Sequence, residues 1–161
     1  MSVSNFQPAD YGYSKDAKMT SLPNQLNGVG VEIDNGTVNE ITDEMLEGLA
    51  AVIKPDAVSG HTLTALYLSS VKRPPEAWPN RHSTGNAVDI SRVNGKELSD
   101  HYPGDDAVKA IIDALQNAFE NFPKRCENYG PLFNWKEGQP DDPGDHSNHI
   151  HWSVDGPHQR P

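Results

Sequence analysis

The side chains best able to do chemistry in this sequence are histidines and carboxylates, and they fall in two clusters. The first is Asn80–Ile90 (Asn-Arg-His-Ser-Thr-Gly-Asn-Ala-Val-Asp-Ile), which sets His82 and Asp89 seven positions apart with Gly85 and the small Ala87 between them. The second follows some sixty residues later at Asp145–Trp152 (Asp-His-Ser-Asn-His-Ile-His-Trp) and supplies His146, His149 and His151. One His and one Asp from the first cluster, with one His from the second, make three ligands for a divalent metal. The fourth position is left to water, which is the pattern of a catalytic rather than a structural zinc site. Imidazole nitrogen and carboxylate oxygen both suit Zn²⁺, at about 2.0–2.2 Å. Cys126 is the sole cysteine, so the sequence offers neither an internal disulfide nor a Cys-rich metal knuckle. The bland reading sets His82 in a polar surface loop and makes Asp89 a turn cap; it weakens when both clusters are taken together.

Strands must carry most of these groups. Over Ala87–Ser91, Val88 and Ile90 point to one face and Asp89 to the other, which anchors the strand in a core and presents a carboxylate to a cleft. Over Asn148–Val154, His149 and His151 share a face while Ile150 turns into the core. Further strands are expected at Val29–Ile33, with Asp34-Asn35-Gly36 as a hairpin turn, at His61–Val71, and at Tyr129–Trp135. The His61–Val71 strand ends where Lys72-Arg73-Pro74-Pro75 breaks the ladder, and a loop with Trp78 leads on to His82. A helix over 43–54 is signalled by Thr42 as N-cap and by Met45, Leu46, Leu49, Val52 and Ile53 at helical spacing. A longer helix starts at an Asp105 cap, buries Val108, Ile111, Ile112, Leu115, Phe119 and Phe122, and stops before Pro123. Residues 1–27 are polar and read as an extended N-terminal segment. The expected fold is one α+β domain over 1–161: a small, mostly antiparallel sheet flanked by helices, with the zinc site in a cleft on the sheet.

At 161 residues the chain is long enough to bury a core without staples. Its net charge of -10 argues against nucleic acid as a partner, because a basic face supplies most of that affinity. No apolar run approaches the roughly 18 residues of a membrane span, and Met1–Thr20 carries no secretory signal pattern. The expectation is a protein with no membrane partner, made in the cytoplasm.

His-x6-Asp followed by His-x-His resembles the zinc peptidases of the lysostaphin, D-Ala-D-Ala peptidase and hedgehog group. The string His82-Ser-Thr-Gly85-Asn-Ala87-Val-Asp89 is similar to the His-x-x-Gly-x-Ala-x-Asp signature of the D-Ala-D-Ala carboxypeptidase branch. The likeness runs from about Leu66 to Val154. It implies Zn²⁺ as cofactor, with His82, Asp89 and His151 as its ligands. It also implies that Arg73, at the end of a strand, contacts a substrate carbonyl or carboxylate, with Lys72 as the competing assignment. Two departures stand out. Asn80 takes the place of a Ser two residues before the first His, and Asn148 takes the place of the carboxypeptidase branch's general-base Glu. The run His146-x-x-His149-x-His151 is similar instead to the murein endopeptidase arrangement, which gives the base and transition-state roles to His149 and, less directly, to His146.

The resemblance implies hydrolysis of peptidoglycan stem peptides or cross-links at D-Ala- or diaminopimelate-containing bonds, as in an endolysin or an antibacterial effector acting on the cell wall after release or secretion. Whether an immunity or inhibitor protein accompanies it is not legible in the sequence. Two other classes compete: a hedgehog-like zinc-containing binding module without turnover, and a non-haem iron oxygenase with two His and one Asp. The six-residue gap between His82 and Asp89 counts against the latter, whose carboxylate usually follows its His as His-x-Asp. Trp78, Trp135 and Trp152 are each candidates for a substrate groove or for the core.

Overall fold

The computed structural model describes residues 19–72, 82 and 84–155. In chain order the elements are β1 (Met19–Thr20), β2 (Gln25–Leu26), β3 (Val29–Ile33), β4 (Ile41–Thr42), α1 (Asp43–Val52), β5 (Ala65–Ser70), β6 (Ala87–Val93), β7 (Lys96–Glu97), α2 (Leu98–His101), α3 (Asp106–Glu120), β8 (Arg125–Tyr129), β9 (Asn134–Lys136), β10 (Gln139–Pro140) and β11 (Ile150–Val154). The architecture is mixed α/β. The small, mostly antiparallel sheet expected from the sequence is replaced by a nine-stranded sheet in the order β10-β9-β8-β11-β6-β5-β3-β2, with β7 paired to β6, and a separate two-stranded sheet of β1 and β4. The parallel pair β3–β5 lies within the large sheet, because the chain crosses over through α1 between these two strands.

Local signals account for the helices. Thr42 Oγ1 accepts from the Met45 amide at 3.2 Å to start α1, and Asp105 Oδ1 accepts from the Val108 amide at 3.0 Å to start α3. The apolar stripe of α3 is buried from Val108 to Phe119, and the Phe119 ring stacks on Trp152 of β11 with centroids 4.5 Å apart. Helix α1 adds Met45, Leu49 and Val52 to the same core, which also takes Val88 and Ile90 of β6 and Ile150 and Val154 of β11.

Several strand boundaries differ from expectation. Strand β5 begins at Ala65 rather than His61, because Asn94 Oδ1 takes up the Thr64 amide at 2.7 Å and its Nδ2 donates to Thr62 O at 2.9 Å, holding 62–64 out of the ladder. The expected Tyr129–Trp135 strand is two strands, β8 and β9, with a turn closed by Gly130 N donating to Phe133 O at 3.0 Å. The Asp34-Asn35-Gly36 turn forms, with Asp34 Oδ2 accepting from Gly36 N at 2.8 Å, but it is not a hairpin: it sends the chain out to β4 in the other sheet. The two-residue hairpins lie at Asn27-Gly28, Asn94-Gly95 and Glu137-Gly138, where both residues of each pair have positive φ. Within the stretch 1–27, residues 19–27 contribute β1 and β2 and bury Leu22 and Leu26.

Candidate metal centre

Two adjacent strands and one turn build the centre. The last strand, β11, inserts between β6 and β8, so His151 lies directly across from Asp89 in the register. The alternation of β6 that buries Val88 and Ile90 on the helical side turns Asp89 to the opposite face, and the alternation of β11 does the same for His151 between Ile150 and Trp152. His82 enters from the turn before β6. Gly85 N donates to His82 O at 3.1 Å, and Gly85 O accepts from Thr42 N at 3.0 Å, which ties this turn to the cap of α1. Gly85 has φ +76°, and a Cβ there would lie 2.8 Å from Met19 Sδ, so two independent constraints favour glycine.

His82, Asp89 and His151 form a group able to hold a metal ion, their ligand atoms all within 4.8 Å of one another. Asp89 Oδ1 is the centre of it, 3.2 Å from His82 Nε2 and 2.9 Å from His151 Nδ1. His82 is only 3% exposed and Asp89 6%. The Nδ1 atom of His82 lies 2.8 Å from the Val71 carbonyl, which can only accept, so Nδ1 carries a proton. In the neutral ring that leaves a lone pair on Nε2. This Nε2 is buried and lies at ion-pair distance from Asp89 Oδ1. A buried imidazole nitrogen beside a carboxylate oxygen is satisfied by a proton or by a metal ion between them, and two imidazoles with one carboxylate are a ligand set that suits the metal.

The electrostatics fit the same picture. Burial raises the Asp89 pKa, but the adjoining His151 and His82 rings outweigh it and hold the carboxyl well below the usual range. Burial lowers the His151 pKa, and Asp89 and then Glu127 more than offset this, raising it to about 9. Metal binding therefore competes with a proton at His151.

The remaining histidines converge on this group. The His146 ring centroid lies 5.8 Å from that of His151 and 4.8 Å from that of His149. His149 precedes β11 rather than lying in it, so the expected strand-face pairing with His151 is replaced by a position at the strand's mouth. Its pKa is lowered, by burial first, with His146, His151 and His82 adding to that effect and Asp89 opposing it. Arg73, Trp78 and Asn80 lie outside the described residues. Lys72, the alternative to Arg73, approaches Glu40 at 3.7 Å. Trp152 is fully buried on the helical face and donates from Nε1 to Asn128 at 2.8 Å, so it belongs to the core and not to a groove. Trp135, on β9, tilts against Phe133 with centroids 5.1 Å apart.

Sequence reasoning missed two residues here. Glu127 Oε1 lies 3.0 Å from His151 Nε2, and the Tyr129 ring stacks on His151 with centroids 5.6 Å apart while its hydroxyl donates to Asp141 at 2.6 Å. Burial and then that bond push the Tyr129 hydroxyl pKa far up, so it stays protonated. The alternation of Glu127 and Tyr129 in β8 was a signal, but it points at His151 only once β8 and β11 are known to be neighbours. No protein-family model matches the chain, and no curated protein or solved structure matches it.

Proposed function

We propose that this protein is a zinc-dependent peptidase that hydrolyses bacterial peptidoglycan stem peptides or cross-links, in the manner of an endolysin or a delivered effector. The observation that carries the reading is the buried convergence of His82, Asp89 and His151, whose ligand atoms lie within 4.8 Å of one another, with one Asp89 oxygen against both imidazoles. His82, Asp89 and His151 are the residues that would hold the ion. Zinc bound there would supply an activated water and a Lewis acid for the scissile carbonyl.

The chain's own groups divide the remaining work. His149 Nδ1 lies 2.6 Å from Asn148 Oδ1, so Nδ1–H donates to the amide oxygen and Nε2 is left as the basic nitrogen. A lowered pKa keeps that ring neutral near pH 7, where it can accept a proton from a nucleophile and return it to a leaving amine. Asn148 thus serves the base although it cannot act as one. His146, packed between His149 and Tyr129, lines the same mouth. Arg73 is assigned the substrate's carbonyl or terminal carboxylate, as the resemblance to D-Ala-D-Ala carboxypeptidase and murein endopeptidase sequences implies. Among the described residues no helix is long and apolar enough to cross a membrane.

The test is metal content measured beside digestion of purified muropeptides, with the parent protein and His151→Ala compared. About one zinc per chain, and products that vanish in the variant, would establish the reading, and product masses would name the bond. Zinc without cleavage would replace the peptidase by a metal-containing binding module. A chain that takes up no zinc would remove both.

A further inference from the structure

We propose that Glu127, supported by Ser153, is the positioning residue that presents His151 to the metal through Nδ1. This rests on the reading of His82, Asp89 and His151 as a metal centre.

A histidine on a strand can rotate by half a turn about its Cβ–Cγ bond, which exchanges Nδ1 with Cδ2 and Nε2 with Cε1. Only one of these orientations gives the centre a nitrogen ligand at Asp89. In the structure Nδ1 lies 2.9 Å from Asp89 Oδ1, and Nε2, on the other side of the ring, lies 3.0 Å from Glu127 Oε1. Turning the ring over would set carbon atoms against both carboxylates. Glu127 therefore selects the productive orientation. In the metal-free ring both carboxylates accept, Asp89 from Nδ1 and Glu127 from Nε2; once an ion replaces the Nδ1 proton, Glu127 keeps the remaining proton on Nε2, so Nδ1 is the nitrogen that binds.

Glu127 is itself held. Ser153 Oγ donates to Glu127 Oε1 at 2.8 Å and accepts from the Glu127 backbone amide at 2.9 Å, so one hydroxyl fixes both ends of the residue. Ser153 is fully buried and shares the face of β11 that carries His151. The Tyr129 ring, nearly parallel to His151 at 18°, limits tilting of the imidazole. Glu127, Tyr129, His151 and Ser153 thus form one small array across β8 and β11. Of these four, only His151 belongs to the group able to hold a metal ion.

The experiment measures zinc affinity of the full chain by competition with a chromogenic chelator, for the parent, Glu127→Ala, Glu127→Gln and Ser153→Ala. Circular dichroism of each metal-free variant reports folding, and long-range ¹H–¹⁵N NMR of the zinc-loaded protein reports which nitrogen of His151 holds the proton. The expected result is one zinc per chain throughout, about 10–100-fold weaker in Glu127→Ala, with a smaller loss in Glu127→Gln and Ser153→Ala, and Nε2 protonated in the parent. Should Glu127→Ala fail to fold, the near-isosteric Glu127→Gln and Ser153→Ala carry the comparison. Zinc affinities within about twofold of the parent, or a His151 that keeps its proton on Nδ1, would overturn the assignment while leaving the metal centre intact. A parent chain that binds no zinc would overturn the centre itself.

Discussion

Asp89 touches two imidazoles with a single oxygen, and each imidazole is pinned on its far side by something other than a metal. His82 is held by the Val71 carbonyl at 2.8 Å and His151 by Glu127 at 3.0 Å. Both rings are therefore fixed before any ion arrives, which lowers the ordering cost of binding one. His149 differs from them. It lies at the mouth of β11, half-buried, engaged by Asn148 and kept below its ordinary pKa. Its role is separable from metal binding, and His149→Gln is expected to keep one zinc per chain while slowing muropeptide hydrolysis about 10²–10⁴-fold. Steady-state rates beside zinc analysis make the check. A variant that loses zinc along with activity would turn His149 from a base into a ligand.

At the scale of elements, the centre depends on how β6 and β11 are braced. Strand β6 continues through Asn94-Gly95 into β7, whose Lys96 reaches Asp105 at 2.7 Å, and Asp105 is also the N-cap of α3. One carboxylate thus couples the sheet edge to the longest helix. The Lys96 bond first, then the Val108 amide, lower the Asp105 pKa from 3.8 to about 2. A depressed folded-state pKa means stabilisation that is full above the unfolded value and is lost as pH falls toward the folded one, so this contribution disappears between about pH 4 and about pH 2. Asp105→Asn keeps a capping oxygen but removes the charge. Its thermal midpoint should lie below that of the parent near neutral pH, and the gap should close over that acid window; a gap unchanged at the acid end would show that charge is not what Asp105 contributes. The turn before β6 is a different brace, because Gly85 holds a positive φ of +76° and a Cβ there would have to displace the end of the Met19 side chain.

For the whole molecule, zinc should act as a ligand of the folded state alone. The unfolded chain holds His82, Asp89 and His151 far apart, so binding adds to stability by mass action, about 2.7 kcal/mol at a hundredfold excess over Kd. For a chain of this size that corresponds to a rise of roughly 5–11 °C in Tm. Scanning calorimetry with and without a chelator, repeated on His82→Ala, is the measurement: the parent should lose the increment with chelator, and the variant should lack it from the start. A parent midpoint indifferent to chelator would count against a centre built on these three residues.

Much of the local structure was legible in the sequence, because it depends on neighbours. Thr42 and Asp105 announce their helices by side chains that reach amides three residues on, and the Val88/Asp89/Ile90 alternation separates a core face from a site face without reference to any other strand. Short-range signals failed where distant partners decided the outcome. Asn35-Gly36 reads as a hairpin but is not one, since β3 pairs in parallel with β5, whereas Asn27-Gly28 is a hairpin flanked by a strand too short to show periodicity. The site divides in the same way. Ligand chemistry narrowed the site to one His and one Asp of the first cluster with one His of the second, and the resemblance to the zinc peptidases implied that these are His82, Asp89 and His151. That His151 faces Asp89 follows from β11 entering between β6 and β8, and with β8 come Glu127 and Tyr129. Strand order is set by which apolar faces pack together under α1 and α3, a choice made by the whole core at once. Residue type and local alternation thus settled which groups could bind a metal, and the tertiary structure settled which of them meet and what holds them there.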